Sequence, residues 1–270
     1  MEQADPIELI AREQQRLAQE WSDLPPQVWN AASRCEGWTN ARVAAHLTSS
    51  AEWYRDSVIR ALNGDSAAPV EADGRRLTPE QFQVQSRLSQ EALAQRSPVE
   101  LIDHFTRSGA DLVGAFRRAT AEDFRKPAWH RMGTLSIEGF VGFRVYELAL
   151  HGWDVRATVD PRAAVRAELC PFLIRLVRQV QPRFCHPDPR LEGVCRIMVN
   201  GEAWSVEVRD GSVRETSGTP AANVTIDTDA STFLLVVTER RSLDEVASTV
   251  TIGSDEQPHR QLLGALCFRV

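Results

Sequence analysis

The stretch VYELALHGWD, from Val145 to Asp154, sets Glu147 four residues ahead of His151. On a helix, residues four apart lie one turn from each other on one face. A carboxylate and an imidazole so placed form either a local surface pair, worth roughly 0.2–0.5 kcal/mol, or two of the donors of a metal site. The second use needs a third donor from elsewhere in the chain. His46 is the best candidate, because it stands in the apolar run Val43-Ala44-Ala45-His46-Leu47, and a buried imidazole without a partner costs free energy. Two imidazoles, one carboxylate and an open position make a catalytic zinc environment. The same donors suit iron or nickel. Asp154 follows His151 by three residues on nearly the same face. It is placed to orient a ligand imidazole, or else to be a surface residue near a helix end. The spacing alone leaves each of these alternatives open.

Other residues near this stretch carry chemistry of their own. Trp38, Trp53 and Trp153 are packing groups or, through their indole N–H, the lining of a pocket. Arg144, one turn ahead of Glu147, and the pair His130-Arg131 are surface charges or bidentate binders of a carboxylate on a substrate or thiol cofactor. His104, His186 and His259 show no partner pattern. There is no Ser-His-Asp or Cys-His arrangement, no GxGxxG and no Walker motif.

The elements that must position these residues are mostly helical. Ile7, Ile10, Leu17 and Trp21 mark a helix over 7–21, closed by the Leu-Pro-Pro at 24–26. A Gly-containing turn at 35–38 leads to Thr39 or Asn40 as the cap of a second helix, which Asn63-Gly64 ends. Residues 65–78 read as a surface loop and 79–95 as a third helix. Ser97, Pro98 and Glu100 open a fourth. A connection at 126–135 precedes a last long helix from Ser136 to about Thr158. Asp160-Pro161 interrupts it, and 162–180 reads as helical again. Three prolines crowd 182–190, which suits a linker. The period then changes to alternation around Asn200-Gly201, with a second turn at Asp210-Gly211 and a short strand at 223–227. Residues 229–239, the SLDEVAS segment at 242–248 and the stretch 256–270 read as helical. The expected organisation is a helical domain over 1–182 and a small α+β domain over 190–270.

Composition narrows the partners. Of 270 residues, 43% are hydrophobic and 25% charged, and the net charge is -6. No basic block suits a phosphate backbone, so nucleic acid is not expected. No apolar run reaches eighteen residues, and the N-terminus has an early acid and no apolar signal region, so neither a membrane span nor a secretory leader is expected. The five cysteines, at 35, 170, 185, 195 and 267, are scattered and odd in number with no CxxC. That points to a reducing, cytoplasmic setting and against an all-thiolate zinc site.

Two segments carry a family resemblance. CEGWTNARVAAHL, with Cys35, Gly37, Trp38, Thr39 and Ala45-His46-Leu47, resembles the first signature of the mycothiol-dependent maleylpyruvate isomerase family, a branch of the DinB/YfiT-like metalloproteins. RVYELALHGWDVR resembles its second, Glu-x-x-x-His followed by Trp-Asp. The resemblance implies an all-α four-helix bundle, DinB-like, followed by a small α+β domain of sterol-carrier-like type. It implies His46, Glu147 and His151 as ligands of a divalent metal, most simply Zn2+, and mycothiol or another low-molecular-weight thiol as cofactor. The activity implied is isomerisation, or S-transfer, on a small electrophile, in a monomer or small homo-oligomer. Under it Cys35 reads as part of a structural turn and Asp154 as a catalytic helper; of the residues weighed above, Trp38, as a pocket wall over the metal, and Arg144, as a binder of the thiol, are the cofactor-binding candidates. An arginine of the C-terminal domain completes the family's active site, and Arg240 is the best match, although Glu239 stands where the family often has glycine. The alternative is a non-catalytic protein in which the metal is structural or sensing and the run Phe233 to Val237 lines a ligand cavity.

Overall fold

The structure, a computed structural model, describes residues 5–71, 74–218, 220–247, 251–252 and 257–268. These fall into two compact units, Met1–Ala163 and Ala164–Val270.

The first unit is a helical bundle. Its helices are α1 (Pro6–Ser22), the single turn α2 (Pro26–Trp29), α3 (Asn40–Leu62), α4 (Pro79–Ala94), α5 (Pro98–Arg117) and α6 (Ile137–Arg156), with a two-stranded ribbon of β1 (Pro127–Ala128) and β2 (Leu135–Ser136) ahead of α6. Four of them make the bundle: α3 packs on α5 and α6, α1 packs on α5 and α6, and α4 lies outside against α3. The ends follow local chemistry. Asp5, Thr39, Thr78, Ser97 and Ser136 each accept a hydrogen bond from a first-turn N–H, supplying partners that the first turn of a helix lacks. Thr78 with Gln81 and Ser97 with Glu100 form reciprocal capping boxes.

The helix α6 differs from its neighbours. It is buried on all sides, from Ile137 and Phe140 through Leu148 and Leu150 to Trp153 and Val155. A helix apolar all round belongs in the middle of a core. Against that background its polar residues, Arg144, Glu147, His151 and Asp154, stand three or four apart and so form one stripe. Packing against α6 and within the bundle is tight. Gly109 of α5 lies against Gln14 of α1, where an added Cβ would meet the amide carbon at 2.2 Å. Gly152 of α6 likewise lies against Leu17.

The second unit combines α7 (Cys170–Phe184), β3 (Gly193–Val199), β4 (Glu202–Arg209), β5 (Ser212–Thr216), β6 (Val224–Thr228), α8 (Ala230–Val237), β7 (Thr251–Ile252) and α9 (Gln257–Gly264). The sheet order is β5-β4-β3-β6-β7, antiparallel except for β3 beside β6. Both hairpin turns use left-handed backbone, at Asn200 and Gly201 and at Asp210 and Gly211, which matches the twist of the paired strands. The inward positions Cys195, Ile197 and Val199 of β3 alternate with more exposed ones.

Three expectations change. The boundary between units falls at 163/164, not in the proline-rich run at 182–190, because α7 packs on α8 and β5 and so joins the C-terminal unit. The helix expected over 162–180 starts at Cys170, since Pro171 sits in its first turn, where a missing N–H costs nothing. The described part of SLDEVAS, up to Ala247, is turn and not helix; Ser248 lies outside the described residues, as do 256 and 269–270 of the last helical segment.

Two stability outcomes follow. Ser97→Ala removes a cap and should lower the unfolding free energy by about 1 kcal/mol in a denaturant titration. Gly109→Ala should cost about 1–3 kcal/mol by overpacking, and the loss should shrink when residue 14 is shortened to alanine in the same chain.

Candidate metal centre

The centre forms where α3 and α6 face each other. On α3, His46, Ser50 and Tyr54 stand one turn apart and therefore share a face. On α6, Glu147 and His151 face them. His46 Nε2 lies 3.6 Å from Glu147 Oε1, and the rings of His46 and His151 meet edge to face with centroids 4.9 Å apart. Trp38, in the turn before α3, covers both imidazoles at 5.2 Å and 6.0 Å, and lies nearly parallel to His151. Arg42 in turn sits over the Trp38 ring. His46, Glu147 and His151 are each only partly enclosed, with side-chain exposures of 20%, 13% and 15%.

Glu147 is held at both oxygens. Oε2 accepts from Ser50 Oγ at 3.0 Å and Oε1 from the Tyr54 hydroxyl at 3.2 Å. Behind it stands Arg144, with its Nη1 3.5 Å from Oε2. Burial by itself would raise the Glu147 pKa, but His46, Arg144 and His151 outweigh it and hold the carboxyl at about 2. The Tyr54 hydroxyl moves the other way: burial, and then the charge of Glu147, push it well above its ordinary value. Glu147 is thus an anion and Tyr54 a neutral donor throughout the physiological range.

Asp154 is completely enclosed and lies 2.8 Å from His151 Nδ1. That partner fixes the ring and leaves Nε2 for a second interaction. The loop before α3 is tied to the same place, since Arg34 N donates to the Asp154 carbonyl at 3.2 Å.

A divalent metal fits much of this chemistry. Two ligands about 2.0–2.1 Å from a tetrahedral ion stand roughly 3.4 Å apart, close to the spacing of His46 Nε2 and Glu147 Oε1. That spacing is also longer than a hydrogen bond. His46 Nδ1 is buried with no hydrogen-bond partner, an unsatisfied polar atom of the kind that calls for a functional explanation. His46 and Glu147 are therefore spaced to share an ion, and the His151 ring stands beside that of His46, although the ligand atoms of the three do not all come within 4.8 Å of one another. A second set of donors lies beside them: Cys35, His151 and Asp154 bring one ligand atom each to within 4.8 Å of one another, and they are the trio among the described residues that meets this spacing.

Other expected site residues are placed differently. Arg144 is fully buried, and its guanidinium donates to the Leu47 carbonyl at 2.9 Å, Ser50 Oγ at 3.1 Å and Gln14 Oε1 at 3.0 Å. The cofactor-binding role expected for it is corrected: an enclosed cation with these partners is the internal counter-charge of Glu147. Trp153 is core, donating to the Ala163 carbonyl. His130 is buried against Trp53, Phe140 and Phe143, and its Nδ1 accepts from Met132 N. Trp53 joins that aromatic cluster with Tyr54 and Phe82. His104 has a partner after all, Glu52, at 2.7 Å. Arg240 belongs to the C-terminal unit, in the turn after α8, where its backbone N–H donates to the Leu235 carbonyl; Glu239, in the place often taken by glycine, holds the left-handed φ of 55°. Ser50, Tyr54 and Gln14 were not anticipated. The heptad-like step His46-Ser50-Tyr54 was the signal for the first two, whereas nothing in the sequence ties Gln14 to Arg144.

The comparisons with known proteins agree with this fold. A family profile described as the mycothiol maleylpyruvate isomerase N-terminal domain matches residues 10–156, and the chain belongs to that family. The crystal structure of the mycothiol-dependent maleylpyruvate isomerase superposes with a TM-score of 0.66 at 13% sequence identity, covering 94% of each chain. A mutant of that enzyme gives the same figures. At this identity the likeness is one of fold. No curated protein matches the sequence.

Acid should expose the role of Arg144. The Glu147 pKa is depressed in the folded chain, so the stability it contributes is complete above its ordinary value of 4.5 and is lost as the pH falls toward about 2. In metal-free protein, Glu147→Gln should flatten that part of the stability-pH curve. Arg144→Met, which strands a buried anion, should cost about 3–5 kcal/mol at neutral pH, read by chemical denaturation.

Proposed function

We propose that the bundle is a divalent-metal centre serving a thiol-dependent isomerase or S-transferase, with a small electrophile as substrate. The observation that carries this reading is the convergence of His46, Glu147 and His151 beneath Trp38, in a chain of the mycothiol maleylpyruvate isomerase family. In this reading the three residues hold the ion, most simply Zn2+, and a low-molecular-weight thiol, mycothiol by family, is the cofactor. The ion supplies a Lewis-acid centre that keeps a thiol sulfur in its thiolate form at neutral pH.

The chain's own residues do the rest. Asp154 accepts the Nδ1–H of His151 and so directs Nε2 toward the site. Ser50 and Tyr54 hold the Glu147 carboxylate in one orientation. Trp38 forms a flat wall over the imidazoles and screens them from water. With the nucleophile supplied by the cofactor, no protein nucleophile is required. Addition of a thiolate to a cis double bond followed by elimination returns the thiol and yields the trans isomer. Release of the adduct instead would make the reaction a transfer. Arg240 keeps the catalytic role that the resemblance implies for an arginine of the C-terminal unit, and Arg240→Ala should lower turnover.

The non-catalytic alternative rested on the run Phe233 to Val237 as a cavity lining. Those side chains are buried, and Phe233 packs edge to face on Trp204 at 5.4 Å. That packing serves the core of the C-terminal unit, and the enzyme reading rests on the bundle and the family.

Metal analysis on protein purified without added metal should find roughly one ion per chain. His46→Ala and His151→Ala should each empty the site while circular dichroism reports an intact bundle, since the helices rest on their apolar faces. Thiol-dependent turnover of maleylpyruvate-like electrophiles should be lost with the metal. Asp154→Asn should weaken metal binding by about 10–100-fold. A folded His151→Ala chain with wild-type metal content would refute the ligand assignment.

A further inference from the structure

We propose that Cys35, His151 and Asp154 form a second metal site, bearing a thiolate, that competes with the deeper centre for His151. The existence of this site stands on its own geometry; only the competition rests on the proposed centre at His46 and Glu147.

The three donors come from two elements that the backbone itself joins. Cys35 lies in the turn that precedes α3. Its N–H donates to Ser33 Oγ at 3.1 Å, and its carbonyl accepts from Trp38 N at 3.0 Å. Gly37, at φ +77°, makes that turn possible. The neighbouring residue Arg34 donates its N–H to the carbonyl of Asp154, so the turn is fastened to the end of α6 at the residue that supplies the carboxylate. Main-chain bonds therefore fix where the Cys35 backbone stands beside Asp154, and one side-chain rotation places the sulfur. The result is one sulfur, one nitrogen and one oxygen within 4.8 Å of one another.

These donors are a chemically mixed set, and the sulfur selects among cations. Thiolate favours soft and borderline ions, Cd2+ and Zn2+ over Mg2+ or Ca2+. The other four cysteines belong to the C-terminal unit, where three of them are buried. Cys35 is partly exposed, which gives an ion a way in. His151 Nδ1 and Asp154 Oδ2 stand 2.8 Å apart, the length of a hydrogen bond, so an ion taking the place of the shared proton must open the pair by about 0.6 Å. Binding exchanges the thiol proton for the ion and releases it to solvent, while the proton that His151 Nδ1 gave to Asp154 moves to Nε2.

Competition follows from the imidazole. A neutral ring has one lone pair. When His151 uses Nε2 toward His46 and Glu147, its Nδ1 carries the proton given to Asp154. When it uses Nδ1 toward Cys35 and Asp154, Nε2 carries the proton. An ion in one site therefore excludes His151 from the other.

The test is titration of the full-length, reduced, chelator-treated chain with Cd2+, following thiolate-to-cadmium charge-transfer absorption. The wild type should develop the band at about one equivalent, and Cys35→Ser should lose it while keeping its helical circular dichroism. His46→Ala should keep the band at undiminished or higher affinity. Absence of the band in the wild type, or its survival in Cys35→Ser, overturns the proposal. Its loss in His46→Ala also does, since the sulfur and His46 would then share one ion. A second measurement needs no variant: Cd2+ should slow alkylation of Cys35 by iodoacetamide at least about tenfold, read by mass spectrometry, and an unchanged rate overturns the site. The deeper centre is judged separately in the Cys35→Ser background by equilibrium dialysis with Zn2+. Equal zinc binding with and without His46 would sink that centre and leave the thiolate site standing.

Discussion

A full positive charge lies inside the bundle, closed off from bulk solvent. The Arg144 guanidinium is enclosed, and its donors go to a carbonyl of α3, a hydroxyl of α3 and an amide oxygen of α1. Desolvating such a group is costly, and these bonds together with the nearby Glu147 carboxylate offset it, although Nε is left without a hydrogen-bond partner. Arg144 therefore fixes three things at once. It sets the approach of α6 to α3, because Leu47 and Ser50 must be within reach. It recruits α1, through Gln14. It also gives Glu147, one turn along α6, a reason to be ionised in a buried place. Remove the cation and the carboxylate becomes the least tolerable group in the core.

The rest of the centre is arranged around that anion. Ser50 and Tyr54 take one oxygen each, His46 approaches one of them, and His151 stands a turn further along, steadied by Asp154. Electrostatics and packing work together here. The stripe of polar residues on α6 is affordable because each member meets a counter-charge or a hydrogen-bond partner, while the remaining faces of the same helix fill the core with Phe140, Leu148 and Trp153. The bundle thereby combines rigidity, from apolar packing, with a carboxylate whose charge and orientation are set by its neighbours.

Much of this was legible in the sequence, for identifiable reasons. The helices of the bundle announced themselves by apolar spacing and by caps such as Ser97 with Glu100, and the strands by Asn200-Gly201, because these are local effects. The pairing of His46 with Glu147 and His151 was legible only through a family signature, since no periodicity links residues a hundred positions apart. Two kinds of feature escaped. Arg144 was read as a ligand binder because a charged side chain on a helix is usually at the surface, and only the tertiary structure reveals that Gln14 and Leu47 enclose it. The domain boundary was misplaced because prolines at 182–190 look like a linker whichever unit their helix packs on, and the packing of α7 on α8 is invisible from composition.

The contact between Gly109 and Gln14 carries a consequence for the history of this family. Gln14 spans the bundle: its oxygen receives Arg144, and its nitrogen donates to the Phe105 carbonyl at 2.6 Å. It fits there only because α5 offers no Cβ at position 109. Two substitutions distant in sequence are thus coupled. A lineage that acquires a side chain at 109 must first trade Gln14 for something smaller, and in doing so it releases the residue that steadies Arg144. Positions 14, 109 and 144 should therefore change together or not at all among related chains, and a departure at all three marks a descendant that has abandoned this way of holding its carboxylate.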